Sequence, residues 1–106
     1  HAKAFAKAQG VILLLKGCST IVTDGDVVYI VNRGSAGMAT AGSGDVLAGI
    51  LSGMCGYLSP DALTVASGAY LAGLAGEIAE EKHGAISMVA SNTVREIANA
   101  LSSLQN

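Results

Sequence analysis

Residues 37–51 are GMATAGSGDVLAGIL, and this stretch decides how the rest of the chain is interpreted. A glycine-rich turn, Gly42-Ser43-Gly44, leads into a single carboxylate, Asp45, and then into a long run without charge. The first N–H groups of a helix have no partner within it, and the helix dipole adds about half a positive charge at that end. A helix that begins at this turn therefore predicts an anion-binding site, and phosphate is its natural ligand.

The residues beside this turn exclude two common phosphate-binding motifs. A Walker A loop has Lys after its last glycine, where this chain has Asp45, and a dinucleotide fingerprint has a third glycine, where this chain has Leu47. A carboxylate repels a neighbouring phosphate, so we interpret Asp45 as a general base that accepts the proton of an attacking substrate hydroxyl. The N–H groups of Gly42, Ser43 and Gly44 would stabilise the resulting oxyanion. Simple capping of the helix by Asp45 is the alternative.

The chain before the turn predicts strands. The apolar run VILLLK, residues 11–16, is typical of a strand that is covered on both faces, as in a parallel sheet. Asp24-Gly25 stands between two β-branched runs, which predicts an antiparallel hairpin of strands near 19–23 and 26–31.

Lys16 ends the first predicted strand, and Ser19 and Thr20 follow closely. Ligands of α/β proteins bind at the carboxyl ends of parallel strands. A lysine there, with hydroxyl groups nearby, suits the phosphates of a nucleotide. The alternative is a lysine whose stem lies along the sheet and whose ammonium group extends into solvent.

Helices account for most of the remaining chain. The first two are predicted at residues 2–9, ended by Gly10, and at about 45–58. A third should have Ser59 as its N-cap and Pro60 as its first residue, and should continue to about residue 81. A last helix should start with a capping box from Thr93 to Glu96 and end near Leu104. Residues 32–44 are predicted to be a functional loop.

Small side chains recur along two of these helices at a spacing of four residues. Gly49 and Gly53 lie on one, and Gly68, Ala72 and Gly76 on the other, which predicts close packing against the sheet. A solvated helix face is expected for Glu77, Glu80 and Glu81.

The composition is that of one small apolar unit. The 106 residues are 51% hydrophobic and 13% charged, with a net charge of −2 and no basic run, so nucleic acid is not an expected partner. The uncharged runs 46–60 and 62–76 are shorter than the roughly 20 residues that cross a membrane, which favours buried helices. Cys18 and Cys55 lie in apolar contexts and are expected to be reduced.

Three stretches carry a family resemblance: LLLKGCST (13–20), NRGSAGMATAGSGDVLAGILSG (32–53) and GAYLAGLAGEIAEEKHGAISMVASNTVREI (68–97). Together they resemble the ADP/ATP-dependent NAD(P)H-hydrate dehydratase family, which has the ribokinase-like fold. GSGD alone occurs in many ribokinase-like kinases, whereas MATAGSGDVLAGI with an upstream LKG is more specific. The resemblance implies an α/β fold, the C-terminal part of a ribokinase-like αβα sandwich with a mainly parallel sheet plus a β-hairpin. Residues 1–106 would form the C-terminal portion of one catalytic domain.

The activity implied by the resemblance is the repair of NADHX and NADPHX, the hydrated forms of the reduced nicotinamide nucleotides. A phosphoryl group is transferred to the ring hydroxyl of the S epimer, and elimination of phosphate restores NAD(P)H. Asp45 would meet the hydrated nicotinamide and act as the base. The TAGSGD form resembles the bacterial branch, which uses ADP, rather than the eukaryotic branch, which uses ATP. The implied nucleotide contacts are Lys16, Gly17, Cys18, Ser19, Thr20 and Gly44.

The resemblance also implies cofactors and partners. Mg²⁺ would be held through phosphates and water, since no carboxylate cluster in the sequence forms a metal site. Family members have a longer domain, so the N-terminal part of that domain is an expected partner, either covalent or as a separate chain. The first residue is expected not to be the native start. We also expect a homo-oligomer in the cytoplasm, without membrane contact.

Two other functions stay open at this point. A ribokinase-like kinase of a vitamin precursor or sugar alcohol shares the GSGD chemistry but leaves phosphate on its product. A non-catalytic fragment for nucleotide binding or assembly would keep the turn for binding alone. Asp45 argues against this last function, since phosphate binding alone is better without a carboxylate.

Overall fold

The computed structural model describes residues 1–16, 19–34 and 43–105, and for Ser43, Asp45 and Gln105 it describes the backbone alone. One helix and three consecutive strands form the first part and four helices form the second, within the described residues, which confirms the predicted mixed α/β class. In chain order the elements are α1 (Ala2–Gln9), β1 (Leu13–Leu15), β2 (Thr20–Thr23), β3 (Val28–Val31), α2 (Ser43–Tyr57), α3 (Ala62–His83), α4 (Ala90–Arg95) and α5 (Ile97–Gln105).

The predicted hairpin is formed by β2 and β3, which pair antiparallel. Asp24 Oδ1 accepts hydrogen bonds from the N–H groups of Asp26 at 2.8 Å and Val27 at 3.1 Å. These hydrogen bonds hold the pKa of Asp24 below its ordinary value, and the bond from Asp26 has the larger effect. Gly25 has φ of 101°, a conformation that favours glycine. The Asp-Gly pair therefore forms the turn for the reasons that its sequence predicts.

β1 also pairs antiparallel, with β2, so the prediction of a parallel-sheet strand for this run is wrong within the described residues. The connection to Thr20 is residues 16–19, whereas a parallel connection needs a crossover of about a dozen residues or more. β1 is also shorter than predicted, and Leu15 at its end is exposed.

α3 is the buried helix against which the other layers pack. One side meets the sheet in a core cluster, and the opposite side meets α2 and α5 in a second cluster. The buried members are Val22, Val31, Ala62, Ala66 and Ala69 in the first cluster and Leu71, Ala75 and Ala100 in the second. Among the described helices α3 alone has the length and apolar composition to cross a membrane, and 67% of its apolar window is buried in the fold.

Close packing at glycines differs between α2 and α3. A Cβ on Gly68 of α3 would lie 2.6 Å from Leu51 Cδ2 and 3.2 Å from Met54 Sδ, so the two helices touch there. Gly49 and Gly53 of α2 have no described neighbour within 4 Å of an added Cβ. The prediction that these glycines pack on the sheet is therefore wrong, because α3 lies between α2 and the sheet.

The predicted start of α3 is also wrong. The N-cap is Asp61, whose Oδ1 accepts the N–H of Thr64 at 2.8 Å. Ser59 and Pro60 precede the helix. Both Ser and Asp are good N-caps, so the sequence offered two starts that propensity does not separate.

The last helical region begins earlier than the predicted capping box. α4 starts at Ala90, and the Oδ1 atom of Asn92 accepts the N–H of Val89 at 2.7 Å. Thr93 lies within this helix and is buried. Glu96, the other member of the predicted box, stands at the break between α4 and α5.

We predict that Gly73→Ala destabilises the protein by about 1–3 kcal/mol, as overpacking does. An added Cβ would lie 2.5 Å from the carbonyl oxygen of Arg33, so backbone must move. The matched control is Gly56→Ala, where no described atom lies within 4 Å. Alanine there should be neutral or stabilise the helix by up to about 1 kcal/mol. Urea unfolding of both variants is the measurement, and equal midpoints would contradict the close contact.

Candidate functional site

A cavity of about 50 Å³ lies where the strand ends, α2, α3 and α4 meet. Two of its lining residues, Lys16 and Arg33, are cationic, and none of the described lining residues is acidic, so the wall favours an anion. Most of the wall is apolar, as in small-molecule sites generally. The described lining residues are Lys16, Thr20, Arg33, Val46, Leu47, Ala69, Ala72, Gly73, Ala90 and Thr93.

The cavity brings together two of the predicted nucleotide contacts. Lys16 follows β1 and Thr20 begins β2, so the turn between these antiparallel strands places both at one edge of the sheet. Ser19, a third predicted contact, is not among the lining residues. Its hydroxyl donates a hydrogen bond to Asn32 Oδ1, which ties this turn to the residue after β3.

The start of α2 also borders the cavity, through Val46 and Leu47. α2 begins at Ser43, two residues before the predicted start, so Ser43 and Gly44 lie in the first turn of the helix rather than before it. Gly44 is exposed in this first turn, and the backbone of Asp45 follows it. The side chains of Ser43 and Asp45 are not described, so their roles stay predictions. The predicted site residues outside the described ranges are Gly17, Cys18 and Gly42.

Glu77 contacts the segment that follows β3, so its expected place on a solvated face is wrong. Arg33 Nη1 donates to Glu77 Oε1 at 2.8 Å, and the N–H of Gly34 donates to Oε2 at 2.9 Å. The guanidinium carbon of Arg33 also lies 5.3 Å from the centroid of the Tyr70 ring. Tyr70 first, and then Glu77, raises the pKa of Arg33 above its ordinary value. The partners are far apart in sequence, so no local pattern could have revealed them.

Glu96 fixes the break between α4 and α5 beside the cavity. Lys82 Nζ donates to its two carboxylate oxygens at 3.0 and 3.1 Å, and Asn99 Nδ2 donates to Oε1 at 2.8 Å. The carboxylate is well shielded, with 7% of its side chain exposed. The hydrogen bonds from Asn99 first, and then Lys82, hold the pKa of Glu96 below its ordinary value. This network orients α4, which contributes Ala90 and Thr93 to the cavity.

The family model described as NAD(P)H-hydrate dehydratase matches residues 1–99, nearly the whole chain. The chain belongs to the NAD(P)H-hydrate dehydratase family. The family resemblance found in the sequence is thereby confirmed.

Two relatives of this family illustrate the similarity. The chain is 41% identical over 106 residues to a bifunctional NAD(P)H-hydrate repair enzyme Nnr of Moorella thermoacetica, covering 98% of this chain and 20% of that protein. It is 39% identical over 79 residues to an ADP-dependent (S)-NAD(P)H-hydrate dehydratase of Cenarchaeum symbiosum, covering 74% of this chain and 28% of that protein.

A solved structure of the family has the same fold. The ADP/ATP-dependent NAD(P)H-hydrate dehydratase of Bacillus subtilis, co-crystallised with ATP and Mg²⁺, matches with a TM-score of 0.87 at 25% identity. The match covers 96% of this chain and 37% of that one. The predicted ribokinase-like fold is confirmed, and the chain spans well under half the length of the relatives that it matches.

We predict that the destabilisation caused by Glu96→Gln depends on pH. The folded-state pKa of Glu96 lies below its unfolded value, so its stabilising contribution is present above the unfolded pKa of about 4 and is lost as pH falls through the folded pKa. The variant should melt below the wild type at pH 7, and the gap should close at low pH. Glu81→Gln, which removes an exposed carboxylate of α3, is the control. Melting curves with a constant gap across this range would contradict the assignment.

Proposed function

We propose that the whole protein catalyses the ADP-dependent dehydration of the S epimer of NADHX and NADPHX to NADH and NADPH. The observation that carries this proposal is the cavity that unites Lys16, Thr20 and the start of the GSGD helix. A relative that carries this activity in its name aligns with 74% of the chain. Residues 1–106 would be the C-terminal portion of a single ribokinase-like catalytic domain.

The nucleotide would bind against the cavity with its phosphates towards the strand ends. Lys16 supplies an ammonium group there, and Thr20 a hydroxyl group. The small residues Ala69, Ala72 and Gly73 form an apolar wall that suits a flat ring. Gly17, Cys18, Ser19 and Gly44 complete the set of nucleotide contacts that we propose.

The chemical step depends on the first turn of α2. Asp45 would accept the proton of the ring hydroxyl as its oxygen attacks the β-phosphorus of ADP, so that AMP leaves. The N–H groups of Gly42, Ser43 and Gly44 would stabilise negative charge on the transferred group. Phosphate then leaves with the electron pair of the C–O bond, the adjacent ring carbon loses a proton to water, and the electron pair of that C–H bond restores the double bond of the reduced nicotinamide ring.

Mg²⁺ would be bound through the nucleotide phosphates and water. No three His, Cys, Asp or Glu side chains of the described residues come together as a metal site. Mg²⁺ usually keeps several waters and binds with substrate phosphates, so this arrangement is an ordinary one. The cation would neutralise charge between ADP and Asp45.

Further protein would complete the cleft. The described surface leaves large apolar side chains uncovered, including Ile30 at 64% exposure and Tyr57 at 95%. Exposed apolar patches mark interaction sites. We propose that the N-terminal part of the domain, in the same chain or as a partner, covers part of this surface, and that the protein works in the cytoplasm as a homo-oligomer.

Asp45→Asn should lower the rate of NADHX dehydration by about 100-fold or more, the usual loss when a general base is removed. Nucleotide affinity should hold or rise, since repulsion of the phosphates is relieved. Steady-state production of NADH at 340 nm, in the whole protein, measures the rate. Release of free phosphate should match NADH production. A wild-type rate in the variant would refute the base assignment, and phosphate retained on the product would indicate a small-molecule kinase.

ADP should support dehydration better than ATP, because the TAGSGD turn has the bacterial form. Lys16→Ala should weaken ADP binding about tenfold through loss of a charge-assisted contact with phosphate. Lys3→Ala, which removes an exposed charge from α1, should leave the affinity unchanged. Calorimetric titration with each nucleotide measures both effects. A preference for ATP would contradict the first expectation, and unaltered ADP affinity in Lys16→Ala would make Lys16 a solvent-facing residue.

A further inference from the structure

Glu77 joins two groups that lie on one short segment. Its Oε1 atom accepts from the Arg33 side chain, and its Oε2 atom accepts from the main-chain N–H of Gly34. The first bond therefore fixes the side chain of Arg33, and the second fixes the backbone at Gly34. Tyr70, two helical turns earlier on α3, lies under the Arg33 guanidinium and limits its movement.

The backbone at Arg33 is also pressed against α3. The carbonyl oxygen of Arg33 would lie 2.5 Å from a Cβ on Gly73, so only a glycine lets the segment approach this closely. Gly73 lies between Tyr70 and Glu77 on the same helix. Three consecutive turns of α3 therefore hold the residues that end the hairpin.

The start of α2 borders the same cavity as Arg33 and Gly73. Arg33 and Val46 border one cavity together with Gly73, although residues 34–45 separate them in sequence. α2 is itself held on α3 by the close contact at Gly68. The positions of Gly34 and of the first turn of α2 are thus both set by α3.

We infer that Glu77 is a positioning residue for the nucleotide site. By binding the Arg33 side chain and the Gly34 N–H, it holds Arg33 at the wall of the cavity that Lys16 and the start of α2 also line. The inference rests on the proposed function, because it takes Lys16 and the start of α2 as the nucleotide site.

The effect on binding should exceed the effect on folding. The Arg33 and Glu77 side chains are 38% and 33% exposed, and partly exposed ion pairs contribute little to stability. Catalysis and tight binding depend far more steeply on position, since a displacement of about 1 Å can cost about 100-fold in rate. A purely structural role would instead lower melting temperature and activity together.

The test compares four variants in the whole protein by ADP titration, steady-state kinetics and thermal melting. Glu77→Ala removes both hydrogen bonds and should weaken ADP binding about tenfold. Arg33→Ala also removes a cation from the cavity wall, so its loss of ADP affinity should be at least as large. Glu77→Gln keeps one acceptor oxygen and should fall between Glu77→Ala and the wild type. Glu81→Ala removes the same charge from the exposed side of α3 and should behave as wild type.

The outcomes separate the inference from the proposed function. If the wild type binds ADP but does not convert NADHX, the proposed reaction fails, while the order of ADP affinities still tests Glu77. Glu77→Ala affinity within twofold of wild type, or an equal loss in Glu81→Ala, would overturn the positioning role. So would a loss of affinity that only follows a lower melting temperature. If Glu77→Ala does not fold, Glu77→Gln and Arg33→Ala decide by the same criteria.

Discussion

The close approach of three layers to α3 is the interaction on which the rest of the structure depends. Its buried positions are mostly Ala and Gly, so the sheet can pack on one side while α2 and α5 pack on the other. Gly68 and Gly73 allow contacts that a methyl group would block. Interiors of proteins pack as densely as organic crystals, so these contacts leave little freedom in how the layers are arranged.

The candidate site follows from this arrangement. β1 ends and β2 begins beside the cavity, the chain after β3 crosses Gly73 of α3, and the first residues of α2 line the same cavity. Two carboxylates near the cavity are already engaged, Glu77 by Arg33 and Gly34 and Glu96 by Lys82 and Asn99. The wall that remains in the described residues is apolar with two cations. This combination is what the proposed binding of a nucleotide at the cavity rests on.

Membership in the NAD(P)H-hydrate dehydratase family is the reason for proposing a particular reaction at this cavity. The match covers 37% of the solved Bacillus subtilis enzyme, and in the proposed function this portion forms one wall of a larger cleft. Exposed apolar side chains such as Ile30 and Tyr57 are where that larger structure would pack. The proposed division of labour puts the nucleotide cradle and the base on this portion.

What the sequence determined by itself is local in origin. Gly10 ends α1 with a left-handed φ of 65°, and Asp24-Gly25 forms the hairpin turn, because each depends on the conformational freedom or hydrogen bonds of neighbouring residues. A helix follows the glycine-rich motif, although it begins two residues earlier than predicted, and the motif with its flanks was enough to indicate the family. Lys16 and Thr20 reach one cavity because a short connection cannot separate them.

Only the tertiary structure decided the features that depend on distant partners. The antiparallel pairing of β1, the cap at Asp61 and the start of α4 at Ala90 were missed, since several local choices have similar energies and packing selects among them. Glu77 was taken for a solvated residue because its partners lie 43 and 44 positions away. The pattern of apolar residues indicates which helices are buried. Which element packs on which side of α3 is decided by the three-dimensional packing.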